Sequence, residues 1–541
     1  MRQRFCLTIP VMIMSALCTV VGWTQTPNAT SEEGQTIFAP SSDCIACHSN
    51  ISAASGEDIS IGYSWRSSMM ANSGRDPYWH AGVRRESIDH PEAQAAIEDK
   101  CSTCHMPMMR FLAAHNGGTG KVFDTLENRA DHPLGMDGVS CTVCHQIRPD
   151  NFGEHESFDG GFEIDTATPS EQRAIFGPHD VDAGHERLMN SASAFVPTQS
   201  DHMKRAELCG TCHTLYTEAL GPNGEVVGSL PEQMPYQEWL HSDFRTTQTC
   251  QDCHMPALEE DSPVTSVLGV PRPAFSRHTF RGANAFMVRL LNRHRDELGV
   301  TALPQEMSAG AERTIHFLAT ESARLTIGSV ARDASTLDFT VAVTNLGGHK
   351  LPTAYPSRRA WLHVTVRDRS GAMVFESGAL RADGSIVGND NDDDQYRFEP
   401  HYREITAPEQ VQIYEPVLAD PNSRLTTGLL TAVRYIKDNR LLPRGFDKTT
   451  ADADVGVYGD AADDADFIAG SDSVRYRLDV GNANGPLAID VELMYQSIGF
   501  RWAENLKAYD APEPRRFVRY YAEAAGESGM LLATGSYITT R

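Results

Sequence analysis

Basic residues are scarce in this chain of 541 residues. It contains 47 Lys and Arg against 72 Asp and Glu, which gives a formal net charge of −25. Nucleic-acid binding depends on clustered Lys and Arg that neutralise phosphates, so the composition argues against a nucleic-acid partner. An acidic surface instead favours binding to cations or to basic patches on partner proteins. It also helps to keep a protein in solution.

Long apolar runs are also rare, and no run after residue 22 could span a bilayer. The one at residues 5–22 follows Arg2 and Arg4 and precedes small and polar residues. This order is typical of a secretory signal peptide, which we place at residues 1–24. An uncleaved N-terminal anchor is the alternative, since a run of this length can just cross a membrane. The sequence thus predicts export to the periplasm or the extracellular surface.

Cysteine is absent from the C-terminal half, since Cys253 is the last of the 12 cysteines. Cys6 and Cys18 lie in the expected signal peptide, and the other ten form five copies of a Cys-x-x-Cys-His pattern. A shuffled chain of this composition would hold roughly 0.01 such copies. The motifs, numbered along the chain, are motif 1 (Cys44, Cys47, His48), motif 2 (Cys101, Cys104, His105), motif 3 (Cys141, Cys144, His145), motif 4 (Cys209, Cys212, His213) and motif 5 (Cys250, Cys253, His254).

The pattern argues against the other common uses of paired cysteines. Disulfides do not require a His after every second Cys, and a structural zinc site needs four ligands, whereas the number of pairs here is odd. A thioredoxin-like motif would occur once, near a βαβ unit. Covalent haem attachment explains each feature, because two thiols add to the two vinyl groups and the adjacent His becomes the proximal iron ligand. The sequence therefore predicts five c-type haems, with the motif histidines as proximal ligands.

Histidines outside the motifs are candidates for the second axial position of each iron. Two of them shortly precede motifs 3 and 4, one precedes motif 2 in a predicted short helix, and one follows motif 5. The fifth, His349, stands in a Gly-Gly-His corner after a predicted strand. From there its imidazole could reach the haem region and join the two parts of the chain. These distal candidates are His90, His132, His202, His278 and His349.

Several residues are alternatives for the same positions. A Met ligand would raise the potential of one haem, and any of seven further histidines could replace a candidate. The alternatives are Met69, Met70, His80, His115, His155, His179, His185, His241 and His294.

The chain changes character near residue 320. Before it lie all five motifs and 17 of the 20 His, and we expect short helices and irregular loops around haems, with one clearer helix at 284–299. After residue 320, apolar residues recur at every second position, which is typical of β-strands. The sequence predicts an α+β multidomain fold, with a haem domain at 25–320 and an antiparallel Ig-like β-sandwich at 321–541.

Period-two patterns predict particular strands in the second part. A hairpin is expected to turn at Ser370-Gly371, and an acidic insertion at about 380–470 is expected to decorate the sandwich. Within it, NDNDDD at 389–394 is a candidate calcium site, although it lacks the Gly and the final Glu of an EF-hand loop. The predicted strands lie at 336–345, 361–368, 473–480 and 487–495.

Nearly the whole mature chain resembles a family of exported multihaem (pentahaem) c-type cytochromes with a C-terminal β-sandwich. The resemblance implies a haem domain packed on a sandwich, bis-His ligation at most irons and low potentials. A more distant similarity is to pentahaem nitrite reductase and hydroxylamine oxidoreductase, but the Cys-x-x-Cys-Lys site of the former is absent. The stretches that carry the resemblance are SMMANSGRDP, KCSTCHMPM, GVSCTVCHQI, LCGTCHTLYTEALG, PEQMPYQEWLHSDF, CQDCHMP, NLGGHKLPTAYPSRRAWLHVTVRD, IKDNRLLPRGFD and YQSIGFRWAENL.

Two functions remain open from the sequence. The first is electron transfer through the haems between redox proteins, with the β-part as a surface for docking, self-assembly or an outer-membrane complex. The second is an oxidoreductase in which one open iron binds a small nitrogen or sulfur compound. Catalytic residues stay unassigned, and the candidate helpers for such chemistry are Arg66, Arg75, His80, Arg358 and Arg359.

Overall fold

The chain consists of a front part of short helices and irregular loops and a back part dominated by β-strands. The computed structural model describes residues 37–540 except Asn482 and Asn484, so the expected signal peptide, with Cys6 and Cys18, lies outside the described residues. Among the helices of the described residues, none combines the length and the apolar character needed to cross a membrane.

The helices and strands of the front part are mostly short. The helices are α1 (Ser41–Ile45), α2 (Ile61–Arg66), α3 (Pro77–Asp89), α4 (Gln94–His105), α5 (Pro107–His115), α6 (Val122–Glu127), α7 (Pro133–Met136), α8 (Cys141–Cys144), α9 (Ala183–Ser193), α10 (Ala206–Gly210), α11 (Pro235–Leu240), α12 (Cys250–His254), α13 (Ala285–Arg293), α14 (Arg295–Leu298) and α15 (Pro304–Glu321). The strands are β1 (Ile147–Arg148), β2 (Glu163–Ile164), β3 (Ala174–Gly177), β4 (Val196–Gln199), β5 (Leu215–Leu220), β6 (Val226–Gln233), β7 (Ser262–Pro263) and β8 (Pro271–Arg272).

The back part contains longer strands. They are β9 (Ala323–Arg332), β10 (Thr336–Asn345), β11 (Arg359–Arg367), β12 (Met373–Ser377), β13 (Glu404–Ile405), β14 (Ile413–Tyr414), β15 (Pro416–Ala419), β16 (Leu425–Thr426), β17 (Arg434–Asp438), β18 (Ser471–Asp479), β19 (Ala488–Gln496) and β20 (Met530–Ile538). Its helices are α16 (Asp390–Asp393), α17 (Phe500–Glu504) and α18 (Pro512–Ala524).

The helix predicted at 284–299 is confirmed, with one interruption. Apolar residues at helical spacing are buried along α13, and a break at His294 separates it from α14. Gly299 then ends the run with φ 68°, a left-handed conformation that glycine adopts without steric cost.

Helices α13 to α15 contribute to the large core of the back part, whereas apolar side chains around the motifs form several small clusters. One cluster includes Ile37, Phe38 and Met108, and a second includes Val83 and Ile97. Close-packed protein interiors need a continuous set of contacting groups. Small separate clusters are the packing expected where large cofactors complete the interior.

Two sheets form the framework of the back part. The first has the order β13-β18-β10-β9, in which β10 pairs antiparallel with both neighbours and β13 pairs parallel with β18. The second has the order β12-β11-β19-β20, entirely antiparallel, with β14 added to β11. The four predicted strands correspond to β10, β11, β18 and β19, and Gly371 lies with φ 85° in the turn between β11 and β12. These predictions are confirmed.

Both sheets contribute to a single apolar core. Leu337, Phe339 and Val341 of β10 are completely buried in the same cluster as the inward residues of β11. The ring of Phe375 on β12 meets the ring of Tyr476 on β18 edge-on at 6.4 Å. Alternating residues of two sheets thus share one interior. The Ig-like topology stays a prediction.

The last helix of the chain returns to the front part. Helix α18 packs against α3, where the rings of Tyr78 and Phe517 lie 4.9 Å apart. Arg84 of α3 donates two hydrogen bonds to Glu513 of α18, at 2.8 and 3.0 Å. Residues near both ends of the chain therefore build one interface.

The acidic segment at 389–394 forms the short helix α16 and its cap. Asp392 is buried and accepts hydrogen bonds of 2.7 and 2.9 Å from Arg359, while Asp390 pairs with Arg397 at 2.5 Å. These arginines balance the charge of two of its carboxylates, and the calcium site stays a prediction.

Candidate functional site

Each Cys-x-x-Cys-His motif forms about one helical turn. In motifs 1, 3 and 4, the backbone N–H of the His donates to the carbonyl of the first Cys at 2.9 to 3.0 Å. Residues three and four apart lie on one face of a helix. The two thiols and the imidazole of a motif consequently point to the same side, which covalent attachment and axial ligation of one macrocycle require.

Backbone carbonyls fix the ring orientation of four motif histidines. The Nδ1 atoms donate to carbonyl oxygens at 2.5 to 3.3 Å, which leaves Nε2 with a free lone pair. A metal-bound His usually donates its other ring N–H in this way. The pairs are His48 with Val264, His105 with Ser73, His145 with Phe176, and His254 with Arg281.

Two motif histidines face a second imidazole. The ring centroids of His145 and His278 lie 6.3 Å apart with planes inclined by 14°, and those of His254 and His349 lie 6.1 Å apart at 15°. Imidazole–metal bonds of about 2 Å on each side, plus roughly 1 Å from nitrogen to ring centre, put two axial rings about 6 Å apart. The spacing therefore fits an iron atom between the rings.

The facing rings carry the same backbone hydrogen bond as the motif rings. His278 donates from Nδ1 to the Ser276 carbonyl at 3.0 Å, and His349 donates to the Lys350 carbonyl at 2.9 Å. Burial lowers the pKa of His278 to about 3. The imidazole is consequently neutral at physiological pH, which is the form that binds a metal.

Burial has the same effect inside the motifs. It lowers the pKa of His105 to about 4 and the pKa of His254 to about 4. Both rings are neutral above pH 5, so no proton competes with a metal for Nε2.

The other three distal candidates lie in different surroundings. His90 is buried, and its Nε2 has no hydrogen-bond partner within the described residues. His202 is buried, but its Nε2 bonds the Ile147 carbonyl at 2.9 Å and its Nδ1 bonds a Ser hydroxyl at 2.6 Å. His132 is part-exposed and lies 3.4 Å from Asp124. An unpartnered buried nitrogen makes His90 the best placed of the three, since such atoms are rare in proteins.

Thiols of different motifs lie side by side. None of the ten motif cysteines forms a disulfide in the described chain. Interactions between thiols of different motifs, together with burial, raise the pKa of one partner in each of three pairs. The pairs, with the raised thiol first, are Cys44 with Cys141, Cys104 with Cys212, and Cys209 with Cys250.

The motifs consequently form one connected series. Motif 1 contacts motif 3, and motif 4 contacts both motif 2 and motif 5. Motifs 3 and 4 are neighbours as well, because the Cys144 thiol interacts electrostatically with Cys212 while burial raises its pKa to about 12. The spatial order is 1-3-4, with motifs 2 and 5 both beside motif 4.

A buried ionic network holds the loop that carries His349. The carboxylate of Glu238, on α11, forms an ion pair with Arg440 at 3.0 Å and accepts hydrogen bonds from the Lys350 backbone N–H at 3.1 Å and from the Thr353 hydroxyl at 2.5 Å. Glu238 lies between motifs 4 and 5 in sequence, whereas its partners belong to the back part. The network therefore fixes His349 relative to motif 5.

The arginines considered as helpers for an open haem make contacts within the protein. Arg359 bonds Asp392, Arg66 pairs with Glu306, and Arg358 donates to a backbone carbonyl at 2.9 Å. Carboxylates therefore balance the charges of Arg359 and Arg66, whereas the partner of Arg358 is a neutral carbonyl.

The remaining helper candidates lie near motif 2. His80 is completely buried, with Nε2 3.0 Å from the Gly74 carbonyl and Nδ1 3.0 Å from the Arg516 guanidinium. Burial, followed by the charge of Arg516, lowers the pKa of His80 to about 3. Arg75 donates to two backbone carbonyls at 2.8 and 3.0 Å.

Sequence reasoning missed the packing of motif 2. The indole of Trp79 lies parallel to the His105 ring, with an interplanar angle of 1° and centroids 4.4 Å apart. The two residues are separated along the chain and lie on α3 and α4. No sequence pattern signalled this contact.

A second histidine cluster, also missed, lies in the back part. Nε2 of His401 is 3.2 Å from Asp464 and 3.8 Å from Asp472, in a buried group with metal-ligand chemistry. Its Nδ1 accepts N–H bonds from Gln412 and Asn439, whose amide oxygens already accept backbone N–H groups. Nε2 must therefore carry the proton and donate to the carboxylates. A hydrogen-bond network explains the cluster better than a metal.

Comparison with known proteins identifies a shared fold. No family model and no curated protein matches the chain. Among solved structures, the chain is similar to a penta-heme cytochrome c552 from Thermochromatium tepidum, with a TM-score of 0.52 and 16% sequence identity. The match covers 93% of this chain and 100% of that chain. At this identity the likeness concerns the fold, and it extends over both parts of the chain.

Proposed function

We propose that this protein is a multihaem c-type cytochrome that transfers electrons through five covalently bound haems. The observation that carries the proposal is the contact series of the motifs, in which each pair of cysteines lies beside another pair. Haem c supplies one-electron redox chemistry when bound. Haems held at neighbouring attachment points would lie close together, so they would pass electrons over short distances.

The chain's own residues supply attachment, ligation and insulation. The ten motif cysteines form thioether bonds, and His48, His105, His145, His213 and His254 are the proximal ligands. His278 and His349 are the distal ligands for motifs 3 and 5, supported by their spacing and their backbone hydrogen bonds. His90, His132 and His202 remain the distal candidates for the other motifs.

The proposal extends to the organisation of the whole protein. A signal peptide at 1–24 directs export to the periplasm or the cell surface, a haem domain spans 25–320, and an Ig-like β-sandwich spans 321–541. The fold shared with a protein named as a penta-heme cytochrome supports this arrangement. Exported redox proteins are the donors and acceptors, and the net negative charge favours partners with basic faces.

Mass spectrometry and EPR of the mature protein test the proposal. Expressed in cells that mature c-type cytochromes, the chain should gain the mass of five haems and show low-spin ferric irons throughout. Fewer than five haems would overturn the motif assignment. A high-spin signal that cyanide or nitrite converts to low spin would replace electron transfer by the oxidoreductase alternative.

A further inference from the structure

Motif 1 stands at one end of the motif series and is wrapped by the loop between β7 and β8. The Ser266 backbone N–H donates to the Cys47 carbonyl at 2.9 Å, and the Thr265 hydroxyl donates to the same oxygen at 2.9 Å. His48 donates from Nδ1 to the Val264 carbonyl at 2.7 Å. The loop is thus part of the wall around motif 1.

The tip of this loop presents apolar side chains to solvent. Leu268 is 77% exposed, Val270 is 52% exposed and Val267 is 37% exposed. Leu188 on α9 is also exposed, at 40%, and α9 meets the loop tip through His185. Single exposed apolar residues are ordinary, but a cluster of this kind marks an interaction surface.

The backbone holds the tip in this exposed arrangement. Leu268 adopts φ 53°, a left-handed conformation that costs about 1 kcal/mol for a residue with a side chain. Its carbonyl accepts a hydrogen bond of 2.9 Å from Nε2 of His185, whose Nδ1 is 2.5 Å from Asp182. The base of the loop is closed by pairing of Ser262 with Arg272. Such strain persists where the surroundings fix it, and it is concentrated at functional positions.

Acidic residues lie beside the tip at Val270 and directly before the base of its loop. Asp180 and Asp182 line the groove beside Val270, with Arg272 also in its wall. The segment Glu259-Glu260-Asp261 immediately precedes β7. Together with the overall charge of −25, this rim favours a partner with a basic face.

We infer that the loop tip at 267–270, with Leu188 and its acidic rim, is the docking surface for a basic electron-transfer protein that exchanges electrons with the haem of motif 1. The inference rests on the proposed function and adds the entry or exit point of the electrons. Small interfaces are typical of electron-transfer partners, which must dissociate after each encounter. A few exposed apolar side chains supply the contact, and the acidic rim steers the approach.

Stopped-flow oxidation of the reduced protein by mitochondrial cytochrome c, a lysine-rich probe, tests the surface. Leu268→Lys and Val270→Lys remove apolar contact and repel a basic partner. Each should lower the second-order rate constant by about tenfold at low salt, since rim charges act mainly on association. The wild-type rate should fall as the ionic strength rises.

Val226→Lys is the matched control. Val226 lies in the β5–β6 hairpin, is 57% exposed and undergoes the same change of charge as Val270. Its rate should stay within about twofold of the wild type. Equal rates for Val270→Lys and Val226→Lys, or a wild-type rate independent of salt, would overturn the docking surface. Haem content and reduction by dithionite, measured first on every variant, test the proposed function separately.

Discussion

The imidazoles of His254 and His349 face each other with their centroids 6.1 Å apart, although one belongs to a front-part motif and the other to a loop after β10. This separation leaves room for one metal atom between the two ring nitrogens. The same pair joins the parts of the chain that differ most in secondary structure. Axial ligation at motif 5 would therefore make the cofactor a link between them.

Replacing His349 should leave one iron with a free axial position. In His349→Ala we expect one high-spin haem that binds cyanide, while the other four keep their low-spin EPR signals. His363→Ala is the control, because His363 lies on β11 and bonds Glu492 and Glu376 on the sheet. An unchanged spectrum of His349→Ala would show that another residue ligates motif 5.

The carboxylate of Glu238 should influence the haem at motif 5 without contacting the imidazoles of His254 and His349. Glu238→Gln removes one of the two carboxylates that balance buried Arg440 and Lys350, the other being Asp438, and breaking a buried pair from one side costs about 3 to 5 kcal/mol. We expect a lower Tm together with altered EPR g values for a single haem. The exposed Glu218 provides the control, since Glu218→Gln should change neither. A lower Tm with unchanged g values would confine Glu238 to a structural role.

Deleting motif 3 should isolate motif 1 from the other haems. The double variants Cys141→Ala/Cys144→Ala and Cys250→Ala/Cys253→Ala should each carry one haem fewer than the wild type. Only Cys141→Ala/Cys144→Ala removes motif 3, which lies between motif 1 and motif 4. When a basic oxidant reacts at motif 1, the first variant should lose most of its rapid haem oxidation and the second should retain it. Similar fast phases in both would refute the contact order.

Because Asp472 is buried, the free energy of unfolding should depend on pH in a predictable direction. Burial raises the pKa of Asp472 to about 6, above the value of about 4 for an unfolded chain. The native state therefore binds the proton more tightly, and stability falls as the pH rises from 4 through 6. Two pKa units correspond to about 3 kcal/mol.

Thermal unfolding of Asp472→Asn against pH measures this dependence. The Tm of the variant, relative to the wild type, should rise between pH 4 and 7 and then stay level. Asp466→Asn, at an exposed position in the neighbouring segment, should follow the wild-type profile. A constant difference between Asp472→Asn and wild type would contradict the raised pKa.

Local patterns predicted the parts of the molecule that depend on local chemistry. The period of two placed Leu337, Phe339 and Val341 in the core, because alternate residues of a strand share one face. The Gly-Gly-His corner and the His after motif 5 supply His349 and His278, which face motif histidines, and their role as iron ligands stays a prediction.

Relations between distant segments could not be predicted. The contact order of the motifs depends on how irregular loops fold in three dimensions, and no period in the sequence encodes it. His132 stands at a suitable distance before motif 3, yet its side chain is part-exposed beside Asp124. The buried network at His401 brings together residues from three separate segments, so it too was invisible in the sequence.

The packing of α18 on α3 sets an order for biosynthesis. Translation produces α3 and motif 2 well before α18, the helix that packs on α3 and supplies Arg516 to His80. The surroundings of His80, next to motif 2, are therefore completed only after α18 has been synthesised. Haem attachment at Cys101 and Cys104 can therefore precede the docking of α18 on α3.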